Sequence, residues 1–252
     1  MHFFTRAERR YGQFERLGQM PGLAHAFSTR PLNISPRPGG DWPERAARRA
    51  QMALDLELDP QRLCYCRQAH QDRVAIVDDA RSSGELAETD AVVTGLAGVP
   101  LMTFSADCPL ILLYDPRRRV LGLVHASWRC TAARLAERVV RAMEDRLGCR
   151  PADLLAGIGP GAGPCCYEVR ADVLAATADL PGRTEIIHER AGRHYLDLWA
   201  ANARQLDRAG VPRDNMELAD ICTMCRTDLF YSFRREGEGC GHFGLLAALR
   251  AG

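Results

Sequence analysis

The chain has 252 residues, 46% of them hydrophobic and 26% charged, which is enough apolar material for a sizeable core and unlike a disordered sequence. Lys and Arg (33) almost balance Asp and Glu (32), so the net charge of +1 excludes a basic footprint for nucleic acid or an anionic membrane and favours a small-molecule partner. The opening "MHFFTRAERRYGQF" has no apolar signal core. No run approaches the roughly 18 apolar residues of a membrane span. The expectation is a cytoplasmic protein whose ten cysteines are core residues, metal ligands or reactive thiols rather than a disulfide framework.

In chain order, "GLAHAFSTR" (22–30) reads as a first strand and residues 31–44 as a Pro/Gly-rich loop. Asp41 is placed to cap a helix over "WPERAARRAQMALDL", with Pro43 in its first turn. Short strands are expected at 63–70, 73–79, 90–95, 99–105, 110–115 and 120–126. "TAARLAERVVRAMEDRLG" is a helix pattern with Leu135, Val139, Val140, Met143 and Leu147 on one face, Thr131 as N-cap and Gly148 as stop. A strand at 154–158, helices at 169–179 and 196–209, strands at 217–222 and 229–234 and a short apolar tail complete the chain. With no repeat or linker, a single domain over 1–252 is expected. Its class is α/β (α+β), with mixed β-sheets flanked by helices.

"LILLYDPRRRVLGLVHA" reads as a hairpin turning over Pro116 to Arg119, with "RRR" exposed in the turn. If Asp115 pairs with Val120, then His125 lies opposite Leu110, and Cys108 is its diagonal neighbour at roughly 7–8 Å. A register slip of one residue would put the two on opposite faces. The spacing suits a Cys/His site, and it equally suits a buried cysteine beside a histidine hydrogen-bonded at a strand end. His70, ending "CRQAH", is a third candidate, although alone it reads more simply as a structural histidine. Two imidazoles and one thiolate would leave an open fourth position, the pattern of catalytic zinc.

Other motifs are weaker. "GIGPGAGPCC" resembles a phosphate loop, but Ala162 stands at the third fingerprint position, no Walker lysine follows, and two prolines remove amide donors. A tight turn at the mouth of the site is favoured, with Glu168 a minor acid/base candidate and the vicinal Cys165 and Cys166 as packing residues. "CTMC" (Cys222, Cys225) with Cys240 and His242 suggests half a zinc ribbon, but a second C-x-x-C is missing.

Five stretches occur in order: "FSADCPLILLYDP", "VHASWRCTAA", "GIGPGAGPCCYEV", "LDLWAANARQL" and "ICTMCRTDLFYSFRREG". Together they resemble the YfiH-like, or laccase-domain, family, known both as polyphenol oxidases and as purine nucleoside phosphorylases. The resemblance implies a layered YfiH-like fold and zinc held by His70 in "QAH", Cys108 in "ADC" and His125 in "HASWRC". It also implies phosphorolysis of adenosine, inosine, guanosine and methylthioadenosine to base and ribose 1-phosphate, with a second activity deaminating adenosine. Cys108, His125 and Arg129 are then the catalytic candidates, Arg129 as a phosphate ligand or else a surface arginine near a helix start. Rival readings are a copper-dependent polyphenol oxidase and a metal-free Cys108–His125 hydrolase acting on peptidoglycan precursors; a binding module is a weaker fourth. Seven histidines without an H-x-H pair argue against the oxidase. The chain departs from the family pattern at Ser127 and Cys130, where glycines are usual, and at "CGH" (Cys240 to His242), where T-G-R is usual.

Overall fold

Runs such as "LILLYD" and "FGLLAAL" carry apolar side chains at consecutive positions, so strands made from them need cover on both faces. The computed structural model, which describes residues 1–36, 41–79 and 81–251, supplies that cover. Residues 37–40 of the expected Pro/Gly-rich loop lie outside the described residues.

The strands are β1 (His2–Arg6), β2 (Arg9–Gln13), β3 (Leu23–Ser28), β4 (Cys64–Cys66), β5 (Val74–Val77), β6 (Gly84–Leu86), β7 (Ala91–Thr94) and β8 (Leu101–Ser105). They continue as β9 (Leu110–Asp115), β10 (Val120–His125), β11 (Leu155–Ile158), β12 (Glu168–Val169), β13 (Ile187–Arg190), β14 (Arg193–Leu196), β15 (Met216–Leu218) and β16 (Phe243–Leu249). The helices are α1 (Trp42–Asp55), α2 (Trp128–Ala132), α3 (Leu135–Leu147), α4 (Ala171–Ala176), α5 (Arg183–Ile186), α6 (Leu198–Arg208) and α7 (Phe233–Glu236).

A seven-stranded sheet runs β1-β2-β3-β16-β8-β4-β6, a six-stranded sheet runs β15-β11-β9-β10-β7-β5, and a small sheet runs β12-β14-β13. Parallel and antiparallel pairs coexist in both large sheets, so the expected mixed α/β class holds. The period-2 alternation of strands sorts the side chains into layers. Leu110, Leu112 and Tyr114 of β9 meet Leu245, Ala247 and Leu249 of β16 in a core between the large sheets. Ile111 and Leu113 point the other way, against Val139 and Met143 of α3 and Leu206 of α6. Leu246 and Ala248 of β16 pack under Met52 and Ala53 of α1. Each fully buried Leu or Ile contributes about 1.5–3 kcal/mol, which makes this layering the main stabilising term.

Several expectations change. Ser127, not Thr131, caps the helix: its Oγ accepts the Cys130 N–H at 3.2 Å. The helix then breaks at Arg134, whose left-handed φ of 57° separates α2 from α3. Residues 229–234 form no strand, because Leu229 and Phe230 turn into the core with both amides bonded to Arg226 O, and α7 starts at Phe233. The polar hairpin β1–β2 and the strands β6, β12, β13 and β14 lack a long apolar run and were not expected. The apolar tail is β16, an interior strand between β3 and β8. Gly148 does end α3, with φ 68°.

Candidate metal site

The hairpin register is as the sequence implies: Asp115 faces Val120 and His125 faces Leu110. Two chain crossings between the large sheets bring the other candidates to this end of β10. Cys108 lies where the chain passes from β8 to β9, and His70 where it passes from β4 to β5. The ligand atoms of His70, Cys108 and His125 all lie within 4.8 Å of one another. The two imidazoles stand edge to face, with centroids 5.0 Å apart.

The residue that organises the trio is Asp90, immediately before β7, which the sequence reading passed over. Its carboxylate accepts the backbone N–H groups of Ala69 (3.0 Å), His70 (3.1 Å) and Gln71 (2.9 Å), and it meets His125 Nδ1 at 2.8 Å. One buried carboxylate therefore shapes the loop that carries His70 and fixes the ring of His125, leaving Nε2 toward His70 and Cys108. Burial alone raises the Asp90 pKa, but the hydrogen bond and charge of His125 and the amides of Gln71 and Ala69 hold it below the usual carboxylate range. His70 itself sits at a left-handed φ of 59°, a conformation this amide cradle supports. Gln68 ties the same loop to β8 by donating to Phe104 O at 2.6 Å and accepting the Phe104 N–H at 3.3 Å.

Asp107 plays the matching part for Cys108. At a left-handed φ of 98°, its carboxylate accepts Thr223 Oγ1 and the Arg234 N–H, each at 2.7 Å, and its carbonyl accepts the Ala162 N–H at 2.6 Å. Burial pushes the Cys108 thiol well above its ordinary pKa, and Cys130, Asp107 and Asp90 push it further. Without a cation such a thiol stays protonated, which is unlike the activated nucleophile of a Cys–His hydrolase.

A cavity of about 490 Å³ opens over the trio, with Arg129, Tyr167 and Arg234 among its walls. That is the size of a small-ligand site. Arg129 lines the cavity while staying exposed at the start of α2, so it fits both descriptions offered for it, and its guanidinium lies 4.2 Å over the Trp128 ring. Arg67, Arg234, Tyr167 and Phe233 also line it and were not singled out from the sequence, although "FYSFRREG" carried two of them. Phe233 is 45% exposed at this wall.

The departures from the family pattern fall in different places. His242 lines the cavity. Cys130 is buried behind His125, taking the Ser127 hydroxyl at 2.9 Å and facing Asp90 at 3.6 Å, so it packs rather than joining the trio from the cavity. Glu168 pairs with Arg193 at 3.1 Å outside the cavity, which leaves it no position for acid/base work there.

The glycine-rich stretch is a packing device. The amides of Gly159, Gly161 and Ala162 bond Leu110 O, Ile221 O and Asp107 O, so they are not offered to a phosphate. A Cβ on Gly161 would sit 2.7 Å from Pro109 Cγ and 3.0 Å from Asp107 O. Gly161→Ala is expected to cost about 1–3 kcal/mol through overpacking and to displace the Cys108 loop. Denaturant melts and metal content measured together test this; wild-type values for both would contradict it.

The expectation that the vicinal cysteines pack is met only in part: Cys166 is half-buried against the core that holds α3 and α6, while Cys165 is exposed. The "CTMC" pair does not gather Cys240 and His242. Among the described residues, Cys165 and Cys166 are what group with Cys222 and Cys225. Cys240 instead faces Glu236 and Gly241 O.

No helix among the described residues is long and apolar enough to cross a membrane. The family described as multi-copper polyphenol oxidoreductase laccase matches residues 20–250. A purine nucleoside phosphorylase of Bacteroides thetaiotaomicron is 31% identical, the alignment covering 94% of this chain and 95% of that one. Adenosine deaminase RL5, from an unidentified prokaryote, is 32% identical over 89% of this chain and 88% of its own. The crystal structure of YlmD from Geobacillus stearothermophilus superposes with a TM-score of 0.91 at 28% identity, covering 99% of both chains. On this match of sequence and fold, the chain belongs to the laccase-like multi-copper polyphenol oxidoreductase family.

Proposed function

We propose that the chain is a zinc-dependent purine nucleoside phosphorylase that also deaminates adenosine. The observation that carries this reading is the convergence of His70, Cys108 and His125 on one wall of a ligand-sized cavity that also holds arginines. The donor set fits zinc: two imidazoles and a thiolate, with His125 oriented through Nδ1 by a buried carboxylate. A zinc ion held there would polarise a substrate oxygen or lower the pKa of a water to about 7.

The chain's own residues supply the rest. Arg129 and Arg234 provide planar, multiply donating groups for a phosphate. Trp128, Tyr167 and Phe233 provide aromatic faces for a purine. Burial pushes the Tyr167 hydroxyl up to about 12, so at neutral pH it remains a hydrogen-bond donor beside the substrate. Relatives bearing both names, phosphorylase and deaminase, support the pair of activities.

The test is elemental analysis of the purified chain joined to product identification with adenosine, with and without phosphate. Expected are zinc, one equivalent of which is lost in His70→Ala, and adenine formed only when phosphate is present. Copper in place of zinc, adenine release indifferent to phosphate, or a fully active His70→Ala enzyme would each overturn the reading.

A further inference from the structure

A second group of soft ligands lies outside the cavity and has no part in the chemistry above. Cys165 and Cys166 sit in the turn before β12, and Cys222 and Cys225 in the turn after β15. The four sulfurs all lie within 4.8 Å of one another. Cys225 Sγ is 3.4 Å from Cys166 Sγ and 3.7 Å from Cys165 Sγ. Four sulfurs bound tetrahedrally at about 2.3 Å from one metal would be separated by about 3.8 Å, so these positions need only small adjustments.

Donors reach two of the four sulfurs. The Gly163 N–H donates to Cys222 Sγ at 3.3 Å, from a glycine whose Cβ would meet Trp199 at 2.7 Å and Cys222 Cβ at 3.2 Å. Arg235 spans the two turns, donating through Nε to Met224 O at 3.0 Å and placing Nη2 3.8 Å from Cys166 Sγ. A cation at that position offsets part of the negative charge of a four-thiolate centre. Burial is graded, with Cys222 at the floor and Cys165 and Cys225 at the surface, so an ion can enter from solvent.

We propose that Cys165, Cys166, Cys222 and Cys225 form a second, structural zinc site of four thiolates. All four positions are protein ligands, so the site is closed and takes no substrate. It clasps the two turns that brace the cavity. Tyr167 follows Cys166 and lines the cavity, and Thr223 follows Cys222 and holds Asp107. The clasp also closes the long excursion that carries the small sheet and α6. Its existence does not depend on the phosphorylase reading.

The full-length chain, purified under reducing conditions and without chelator, is measured for zinc per chain, native thiol reactivity and intact mass. Two zinc ions per chain are expected. One should be lost in the double variant Cys165→Ser/Cys225→Ser, and the other, independently, in His70→Ala. Replacement of zinc by cobalt(II) in His70→Ala should leave the intense sulfur-to-cobalt charge-transfer bands of a tetrathiolate, a readout that does not depend on how well the cysteine variant folds. Zinc content unchanged by the double variant, no such bands in His70→Ala, or a mass showing a disulfide within the group would overturn the proposal. Zinc lost only from the double variant, with His70→Ala unchanged, would sustain this site while refuting the catalytic one.

Discussion

Asp90→Asn is expected to weaken metal binding by about 10–100-fold and to lower turnover at least in proportion, although Asp90 itself does not line the cavity. The carboxylate receives three consecutive amides and the Nδ1–H of His125. An asparagine keeps one acceptor oxygen and turns an NH2 toward groups that are themselves donors. The His70 loop then loses its anchor, and His125 loses the partner that fixes its tautomer. Leaving buried donors unpaired adds a stability loss of about 3 kcal/mol. Competition against a chelator gives the metal affinity, and a urea titration gives the stability. Wild-type affinity in Asp90→Asn would mean that the trio needs no support from behind.

The second large effect is a loss of stability in acid that starts at a single histidine. His25 is buried in β3, its Nε2 accepts the Phe14 N–H at 3.1 Å, and its Nδ1 has no partner among the described residues. Burial lowers its pKa to about 3. The unfolded chain takes up this proton near pH 6.5 and the folded chain does not, so stability is full above about pH 7 and falls by about 1.4 kcal/mol per pH unit below 6.5. At pH 4.5 the loss from His25 alone is about 3 kcal/mol.

Asp55 adds a second component lower down. Burial raises its pKa, but hydrogen bonds from Arg9, Tyr11 and Gln51 outweigh that and bring it down to about 2. Its contribution of about 2 kcal/mol is present above pH 4 and is lost as the pH falls from there toward 2. Urea titrations from pH 8 to 4 should show the slope of stability against pH flattened in His25→Gln, whose side-chain oxygen still accepts the Phe14 N–H. Parallel slopes for His25→Gln and the wild type would remove His25 as the cause.

The sequence revealed more of the site than of the fold around it. His125 and Cys108 were legible because a short hairpin obeys a simple register, and a six-residue apolar strand fixes which faces its neighbours share. His70 stood out by itself only as a candidate at a strand end; joining it to the other two took the family resemblance, since nothing local links residue 70 to residue 125. Asp90 and Asp107 were missed for a related reason. A carboxylate beside a strand reads as a solvated turn until the three amides it receives are seen to come from another loop. The glycines of "GIGPGAGPCC" misled in the opposite direction, because lack of room for a Cβ and freedom to cradle a phosphate demand the same residue.

The β9–β10 hairpin with its register, the apolar face of α3 and the set of residue types able to bind a soft metal can all be read from the chain. Those follow from local rules: side-chain periodicity, turn chemistry and donor identity. Tertiary packing is what makes the chain crossings at 70 and 108 meet at the end of β10 and sets Asp90 behind them. It alone gathered the vicinal cysteines with "CTMC". Contacts between residues 20 to 60 positions apart depend on how two sheets stack, and no window of sequence contains that information.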